Sequence, residues 1–293
     1  MVQRQYVAIA LACLIGILPA LGVVPLDIPA PVQESPSQVL DAIVAESGLS
    51  SPTIAVCDLE RKCLNYRGSR PPQSAASLIK VPIAIALVRK LAADNISLDT
   101  EIYVEPSNYT EENFSSILVG RSYSFKYLLT QALAYSSNIA TNQIIDYLGW
   151  DYINKTLGEL GYPQTRVSHK LKGSVTDPSK NVGWEPNRIT SNELTAMMVE
   201  IYNRKHPEYE VLAEVLSYQV EKVLGFRALK ESSGRWLGEK TGETSLVRGT
   251  TVAVEIQGKI YIITVIGNGR KRERKIRRFL YKIVDYIASH EGI

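Results

Sequence analysis

The sequence predicts an α+β fold in which one antiparallel sheet is built from both ends of the chain. Strand-like runs occur near 53–58 and 63–68, and again late in the chain, where VRGTTVAVEIQ and KIYIITVIG flank a turn at Gly258. Between them, from Ser77 to about Lys222, the apolar periodicity is mostly helical. Since strands far apart in sequence must pair to bury their apolar faces, we expect one sheet flanked by terminal helices, with an inserted all-helical lobe. The cleft between the lobes is the expected place for a site.

The individual elements follow from local signals. SPSQVLDAIVAESG predicts the first helix, with a serine cap and a stop at Gly48, and RWLGEKTG predicts a strand before the late hairpin. The last helix repeats apolar residues at helical spacing: Ile276, Phe279, Leu280, Ile283, Val284 and Ile287. The predicted folded domain is 37–290, with a sheet lobe of about 37–70 and 223–290 and a helical lobe of about 71–222.

The first residues predict export. In 1–24, Arg4 precedes an apolar run that only Pro19 interrupts, which is typical of a signal peptide or an N-terminal membrane anchor. Residues 25–36 are rich in proline and predict a spacer. We therefore expect the domain to be periplasmic or otherwise extracytoplasmic, either secreted or anchored in the membrane by its N-terminus. Nothing in the sequence decides whether the leader is cleaved.

The composition and the motifs argue against several classes of function. The chain has 293 residues, 45% hydrophobic and 22% charged, with a net charge of +3, and it lacks a nucleic-acid-binding signature. Its three histidines are isolated, and neither HExxH nor GxSxG occurs, so no metal, cofactor or histidine-based triad is expected. Cys57 and Cys63 flank the turn DLERK, and in an oxidising compartment they would form either a disulfide or two free thiols.

The first chemical motif is SLIK, in which Ser77 and Lys80 stand at i and i+3 where an apolar helix begins. On a helix these side chains share a face, so they are close enough to interact. An SxxK alone is weak evidence, since a chain of this length should contain on the order of one by accident. A lysine at the start of an apolar helix nevertheless requires an explanation, and a role in catalysis is one.

Two further motifs follow in order. Ser136-Ser137-Asn138 precedes a long apolar helix, although such a cluster is also an ordinary N-cap, and the pattern recurs at Ser179-Lys180-Asn181 in a polar loop. We prefer the first because it starts a helix of the helical lobe. Lys240-Thr241-Gly242 lies on a predicted strand, and KTG should occur by chance in fewer than about one chain in ten. Together, in this order, the three motifs are specific.

This ordered set resembles that of the active-site serine penicillin-interacting enzymes, the class A β-lactamases and penicillin-binding DD-peptidases. The resemblance covers about 37–290 and is nearest to the small cyanobacterial penicillin-binding proteins on the class A β-lactamase fold. It implies a β-lactamase/DD-peptidase-like fold and chemistry through a serine acyl-enzyme. Ser137 departs from the pattern, because many relatives carry aspartate there, and we expect this to affect local packing more than chemistry.

The resemblance assigns a role to each catalytic side chain, and elementary chemistry agrees. Ser77 would be the nucleophile and a neutral Lys80 its base, with a pKa lowered by desolvation, by the helix N-terminus and by the nearby Lys240 cation. Ser136 would pass the proton to the leaving amine. Asn138 would hydrogen-bond the substrate's amide and help to fix Lys80.

The same resemblance implies how the substrate is held. Backbone N–H groups of Ser77 and Glu243 would form the oxyanion hole, while Lys240 and Thr241 of the KTG motif, which Gly242 completes, would bind the substrate carboxylate. Arg248 on the next strand is either a second carboxylate partner, since a guanidinium binds carboxylate in bidentate fashion, or a surface arginine at a strand edge.

A DD-peptidase and a class A β-lactamase would use the same acylation residues, and the sequence of the loop at 163–189 distinguishes the two. Class A β-lactamases use a glutamate there to activate the water that releases the acyl group. Trp184-Glu185-Pro186 mimics the family's motif but comes too late after Ser136, whereas counting through GYPQTRVSHKLKG puts the glutamate's position on or near Leu171. An apolar side chain at that position cannot hold a hydrolytic water.

We therefore predict a DD-peptidase that acts on D-Ala-D-Ala peptidoglycan stem peptides and is acylated by β-lactam antibiotics. The alternative is a class A β-lactamase that uses Glu185. A catalytically dead wall-binding protein conflicts with the retention of Ser77, Lys80 and Lys240. The sequence leaves open carboxypeptidase, transpeptidase or endopeptidase action, the preferred stem peptide and the oligomeric state.

Overall fold

The sheet of the sheet lobe joins the two ends of the folded chain. The computed structural model describes residues 36–113, 115–173, 178, 185–269 and 272–293, so the predicted leader and almost all of the spacer lie outside the described residues. In chain order the elements are α1 (Pro36–Ser47), β1 (Thr53–Asp58), β2 (Cys63–Tyr66), α2 (Lys80–Ala93), β3 (Glu101–Tyr103), β4 (Ser122–Ser124), α3 (Phe125–Leu133), α4 (Asn138–Leu148), α5 (Trp150–Glu159), α6 (Ser191–Asn203), α7 (Glu210–Ser217), α8 (Gly225–Leu229), β5 (Arg235–Glu243), β6 (Val247–Ile256), β7 (Lys259–Asn268) and α9 (Glu273–Ser289).

Within the described residues this sheet has the strand order β2-β1-β7-β6-β5, and every neighbouring pair is antiparallel. The pairing of β1 with β7 is the link between the chain ends, with Ala55 opposite Thr264. β5, which carries the KTG motif, lies at one edge and pairs with β6. The predicted α+β fold with a sheet made from both chain ends is thus confirmed.

The sheet is covered on both faces, which is why its central strands are apolar on both sides. α1, α8 and α9 share one hydrophobic cluster with the strands, in which Leu40, Ile263 and Phe279 are fully buried. α6 lies on the other face against β1 and β7, where the Thr195 hydroxyl donates to Thr264 Oγ1 at 2.7 Å. That second face leads into the helical lobe.

The helical lobe is built around α2. Its residues from Lys80 to Val88 are all buried, and the helix packs against α3, α4, α5 and α6. This explains why the sequence is apolar nearly all round the helix instead of along one stripe. The lobe also contains the short antiparallel pair β3 and β4, which adds a small sheet to the expected helices.

The hairpin of β1 and β2 contains a disulfide. Cys57 and Cys63 are directly opposite in the strand register, with a Cα–Cα distance of 4.2 Å, and their sulfurs are bonded. The structure thus selects the bridge over the two free thiols that the sequence left open. Among the described residues, none of the helices combines the length and the apolar character needed to cross a membrane.

Reduction of this disulfide should lower the free energy of unfolding by about 2–3 kcal/mol, because the bridge restricts a short loop in the unfolded chain. The measurement is urea denaturation of the oxidised and the reduced protein, with Cys57→Ser/Cys63→Ser as a variant that reductant cannot affect. Equal midpoints for the oxidised and reduced wild type would contradict the prediction.

Candidate active site

The three sequence motifs meet at one cleft of about 420 Å³ between the sheet and the helical lobe. Its described lining comprises Ser77, Glu111, Glu112, Asn113, Tyr135, Ser136, Asn138, Gly173, Glu221, Thr241, Gly242, Glu243 and Arg248. Lys80 and Lys240 are buried immediately behind these residues. A larger cavity of about 610 Å³ lies beside α7 and its described lining includes none of the motif residues, so the smaller cleft is the candidate site.

Ser77 lies on a short 3₁₀ helix, Ala76–Ile79, that leads directly into α2. The preceding Ala76 has φ of 48°, a left-handed conformation that costs a non-glycine residue about 1–3 kcal/mol. β5 passes close to this turn at Gly242, where a Cβ atom would lie 2.9 Å from Leu78 Cγ. Glycine in the KTG motif therefore permits the strand to approach the segment of the predicted nucleophile.

Lys80 is completely enclosed, and its side-chain nitrogen is hydrogen-bonded to the second motif. Nζ donates to the Ser136 carbonyl oxygen, to Ser136 Oγ at 3.2 Å and to Asn138 Oδ1 at 2.8 Å. Burial lowers the pKa of Lys80 well below its ordinary value, and the positive charge of Lys240 acts in the same direction, whereas Glu112 opposes it. A neutral amine is the form that a general base requires.

The hydroxyl of Ser136 lies between the two lysines. It accepts a hydrogen bond from Lys80 Nζ and another from Lys240 Nζ, at 2.9 Å. Ser136 itself has φ of 59°, a second left-handed residue at the cleft. Among the described residues neither lysine forms a hydrogen bond with Ser77, and both donate to the hydroxyl of Ser136.

Lys240 is also buried and its ammonium donates to the backbone carbonyl of Thr241 at 2.9 Å. Burial lowers the pKa of Lys240 to about 8. The carboxylates of Glu221 and Glu239 oppose this shift, and Arg248 adds to it. With a pKa of about 8, Lys240 is cationic at neutral pH.

The N-terminus of α4 presents Asn138 and is fixed by a residue that sequence reasoning missed. Glu112 accepts from Ser137 Oγ at 2.8 Å and from the backbone N–H groups of Asn138 at 2.5 Å and Ile139 at 3.1 Å. Ser137 also caps the helix by accepting from Ala140 N–H at 3.0 Å. Its hydroxyl thus caps α4 and donates to Glu112. Glu112 lies in the loop before α3, where no local pattern marks it.

Glu221 is the second residue that the sequence did not reveal. Its carboxylate accepts from Thr241 Oγ1 and from Arg248 Nη2, each at 2.5 Å. Glu243 lies 3.1 Å from Arg248 Nη1 on the other side. Arg248 is only 2% exposed and β6 is paired on both sides, so the interpretation as a surface arginine at a strand edge is wrong.

Leu171 is held by its backbone next to α4. Asn142 Oδ1 accepts from the Leu171 N–H, and Asn142 Nδ2 donates to the Leu171 carbonyl, both at 2.8 Å. Asn138 Nδ2 donates to the next carbonyl, that of Lys172, at 3.3 Å. The Leu171 side chain packs, half-buried, against the core of the helical lobe. The loop is thereby fixed beside Asn138.

Glu185 is paired with an arginine outside the cleft. Its carboxylate accepts from Arg188 Nη2 at 2.7 Å, and its side chain is 61% exposed. It is not among the described residues that line the cleft. Trp184, the neighbour that made the sequence mimic the family motif, and the second SxN pattern at Ser179-Lys180-Asn181 lie outside the described residues.

Solved structures share this fold over nearly their full length. The β-lactamase from Sphaerobacter thermophilus DSM 20745 is 19% identical, with a TM-score of 0.72 over 87% of this chain and 97% of that one. PBP-A is 20% identical, with a TM-score of 0.71 over 85% and 97%. A leucine-to-glutamate mutant of PBP-A, in acyl-enzyme complex with penicillin G, is 20% identical, with a TM-score of 0.68 over 86% and 96%.

At these identities the structural similarity establishes the fold alone. The comparison with curated proteins returned no match. The model of the beta-lactamase enzyme family, in contrast, matches residues 35–290, which is most of the chain and includes all three motifs. The resemblance stated from the motifs is therefore confirmed, and the chain belongs to the beta-lactamase enzyme family of serine hydrolases.

Proposed function

We propose that this protein is a serine DD-peptidase, a penicillin-binding protein that acts on D-Ala-D-Ala peptidoglycan stem peptides and is acylated by β-lactams. The observation that carries the proposal is Leu171, an apolar residue whose backbone Asn142 fixes beside Asn138. Ser77, Ser136 and Asn138 line the cleft and Lys80 and Lys240 are buried behind them, which supports acylation, whereas an apolar Leu171 at the position assigned to the deacylating glutamate supports slow release.

Acylation begins with the nucleophile. Neutral Lys80 takes the proton of Ser77 Oγ, which attacks the carbonyl carbon of the substrate's terminal peptide bond. The negative oxygen that forms is stabilised by the backbone N–H groups of Ser77 and Glu243. The C–N bond then breaks, and the leaving amine receives a proton from Ser136. Lys80, bonded to the same hydroxyl at 3.2 Å, returns that proton to Ser136.

Release of the acyl group needs a water molecule that a base has polarised. Glu185, the carboxylate offered by the sequence, is instead exposed and ion-paired with Arg188. This supports slow deacylation by water, and hence inhibition by penicillin. The apolar N-terminal run supports a location outside the cytoplasm, where stem peptides are exposed.

Direct evidence for a peptidase would come from defined muropeptides that end in D-Ala-D-Ala, with mass spectrometry of the products. Loss of one alanine indicates carboxypeptidase action, joined stem peptides indicate a transpeptidase, and cleavage of cross-links indicates an endopeptidase. Intact muropeptides, together with rapid destruction of penicillin, would support the β-lactamase alternative.

Ser77→Ala should abolish the covalent adduct with benzylpenicillin, because it removes the nucleophile. Lys80→Ala should slow acylation by about 10²–10⁴-fold, the usual contribution of a general base, while leaving Ser77 in place. Intact-mass spectrometry over time measures both effects.

The matched control for the serine variant is Ser289→Ala, whose hydroxyl bonds the Asp285 carbonyl at the end of α9, far from the motifs. It should form the adduct at the wild-type rate. A penicilloyl adduct on Ser77→Ala, or an unchanged rate in Lys80→Ala, would show that the roles are assigned wrongly.

The rate of acylation by benzylpenicillin should fall as the pH rises through about 8, the pKa of Lys240. Below this pH the buried ammonium is protonated and attracts the carboxylate of the drug, and above it the charge is lost. Lys240→Arg keeps the charge at high pH and should remove this decline. A decline near pH 8 that persists unchanged in the folded arginine variant would assign it to another group.

Leu171→Glu should shorten the lifetime of the penicilloyl adduct by about 10- to 10³-fold, because a carboxylate at this position can polarise a water towards the ester. Leu171→Gln is the matched control, since it has the same size and polarity without the charge, and should have a much smaller effect. Wild type should keep its adduct for minutes or longer.

Glu185→Gln tests the competing assignment in the same assay. We expect it to leave the adduct's lifetime unchanged, because its carboxylate is paired with Arg188 outside the cleft. Rapid turnover of penicillin by wild type that disappears in Glu185→Gln would identify Glu185 as the base and the protein as a β-lactamase.

A further inference from the structure

Glu112 places one carboxylate on the N-terminus of α4, the helix that presents the second motif. Oε1 accepts from the Ser137 hydroxyl at 2.8 Å, and Oε2 accepts from the N–H groups of Asn138 at 2.5 Å and Ile139 at 3.1 Å. These two N–H groups are among the first of the helix, which have no acceptor within it. A carboxylate here satisfies both and also interacts favourably with the helix dipole.

The same contacts fix the groups that Lys80 touches. Ser136 and Asn138 stand on either side of Ser137, and both accept hydrogen bonds from Lys80 Nζ. Ser136 has φ of 59°, so the conformation of this turn depends on the contacts around it. Among the described residues the hydrogen bonds of Lys80 Nζ go to Ser136 and Asn138, so Glu112 acts on Lys80 through this turn.

Ser137 is the position of this motif at which many relatives carry aspartate. Here its side chain is completely buried, and its hydroxyl donates to Glu112. An aspartate at position 137 would bring a second buried carboxylate close to the first, and two such charges repel each other. The start of α4 therefore has room for one carboxylate, and in this chain Glu112 supplies it from the loop between β3 and β4.

We propose that Glu112 is a positioning residue for acylation: its carboxylate takes the place of one at position 137 and holds Ser136 and Asn138 against Lys80. This inference rests on the acylation step of the proposed function. It explains why the departure at Ser137 leaves the second motif intact, because the negative charge is kept at the start of α4 and comes from another segment.

The charge of Glu112 also acts on the amine of Lys80. Burial and the Lys240 cation lower the pKa of Lys80, and Glu112 is the charged group that opposes them by raising it. Because a general base works best with a pKa near the working pH, this opposition keeps the amine basic enough to accept the Ser77 proton. Loss of the carboxylate should lower the pKa of Lys80 further.

Glu112→Gln tests the charge, because glutamine can keep all three contacts: its carbonyl accepts from the two backbone N–H groups and its amide donates to Ser137 Oγ. The measurement is the rate constant of acylation by benzylpenicillin as a function of pH, by intact-mass spectrometry. The acidic limb, where Lys80 becomes protonated, should move to lower pH by about one unit, because a nearby opposite charge is lost. The alkaline limb, which belongs to Lys240, should stay near pH 8.

Glu193→Gln is the matched control, because Glu193 is also a carboxylate at a helix N-terminus that ties down a loop. It lies in the first turn of α6 and accepts from the Gln164 N–H at 2.9 Å and from the Thr165 hydroxyl at 2.6 Å. It is not among the described residues that line the cleft. The acidic limb of Glu193→Gln should coincide with that of wild type.

A second test moves the carboxylate onto α4 itself. Ser137→Asp alone should slow acylation, because the new carboxylate and Glu112 repel each other. Glu112→Ala alone should slow it by about 10-fold or more, since Ser136 and Asn138 are then no longer held in place. The double variant Glu112→Ala/Ser137→Asp should acylate faster than either single variant, which a general disturbance of the cleft would not produce.

The outcomes separate the inference from the function beneath it. An unmoved acidic limb in Glu112→Gln, or a folded double variant no faster than the single ones, overturns the role of Glu112 and leaves the proposed function standing. Absence of any adduct on wild type overturns the proposed function. Thermal unfolding verifies that each variant is folded. If Glu112→Ala or the double variant does not fold, the pH profile of Glu112→Gln decides.

Discussion

The arrangement of the cleft depends on the burial of the Lys80 amine. An unpaired ammonium in such surroundings would carry a large desolvation cost, so the group needs hydrogen-bond acceptors and a lowered pKa. Ser136 and Asn138 supply the acceptors from the start of α4, and Lys240 supplies the nearby positive charge from β5. Three segments far apart in sequence are thus brought together around one nitrogen atom, and the sheet and the helical lobe must dock for the site to exist.

The backbone at this point is strained, and the surrounding contacts hold it. Ala76 and Ser136 both have positive φ, which costs each about 1–3 kcal/mol. The left-handed conformation of Ser136 is held because its carbonyl and hydroxyl both accept hydrogen bonds from Lys80, and because Glu112 fixes the helix that follows. Ala76 is retained between α2 and the close approach of β5 at Gly242. Ala76 and Ser136 lie beside the candidate catalytic groups. Because both are strained, the contacts around them, more than the local backbone preference, determine their conformation.

The sequence predicted the parts of the structure that local patterns specify. Alternating apolar residues located the strands, and the order of SxxK, SxN and KTG located the groups around Lys80, because each motif lies on one short segment. Glu112 and Glu221 escaped prediction, since a lone glutamate in a loop has no pattern and acquires its role only when distant elements dock. Arg248 was ambiguous for the same reason: its identity suggested a carboxylate partner, but only the pairing of β6 on both sides shows that it is buried.

Under the proposed function, the loop at Leu171 indicates how one scaffold can serve two activities. Asn142 binds both the N–H and the carbonyl of Leu171, so the backbone is fixed without reference to the side chain. Asn142 itself lies one turn after Asn138 on α4, which ties the loop to the same helix that positions the acylation groups. The identity of this side chain can therefore vary while Ser136, Asn138 and Lys80 stay in place. Under the proposed function, the scaffold positions the groups for acylation. The rate at which the acyl group is released then depends on one side chain, Leu171, whose identity the scaffold does not restrict.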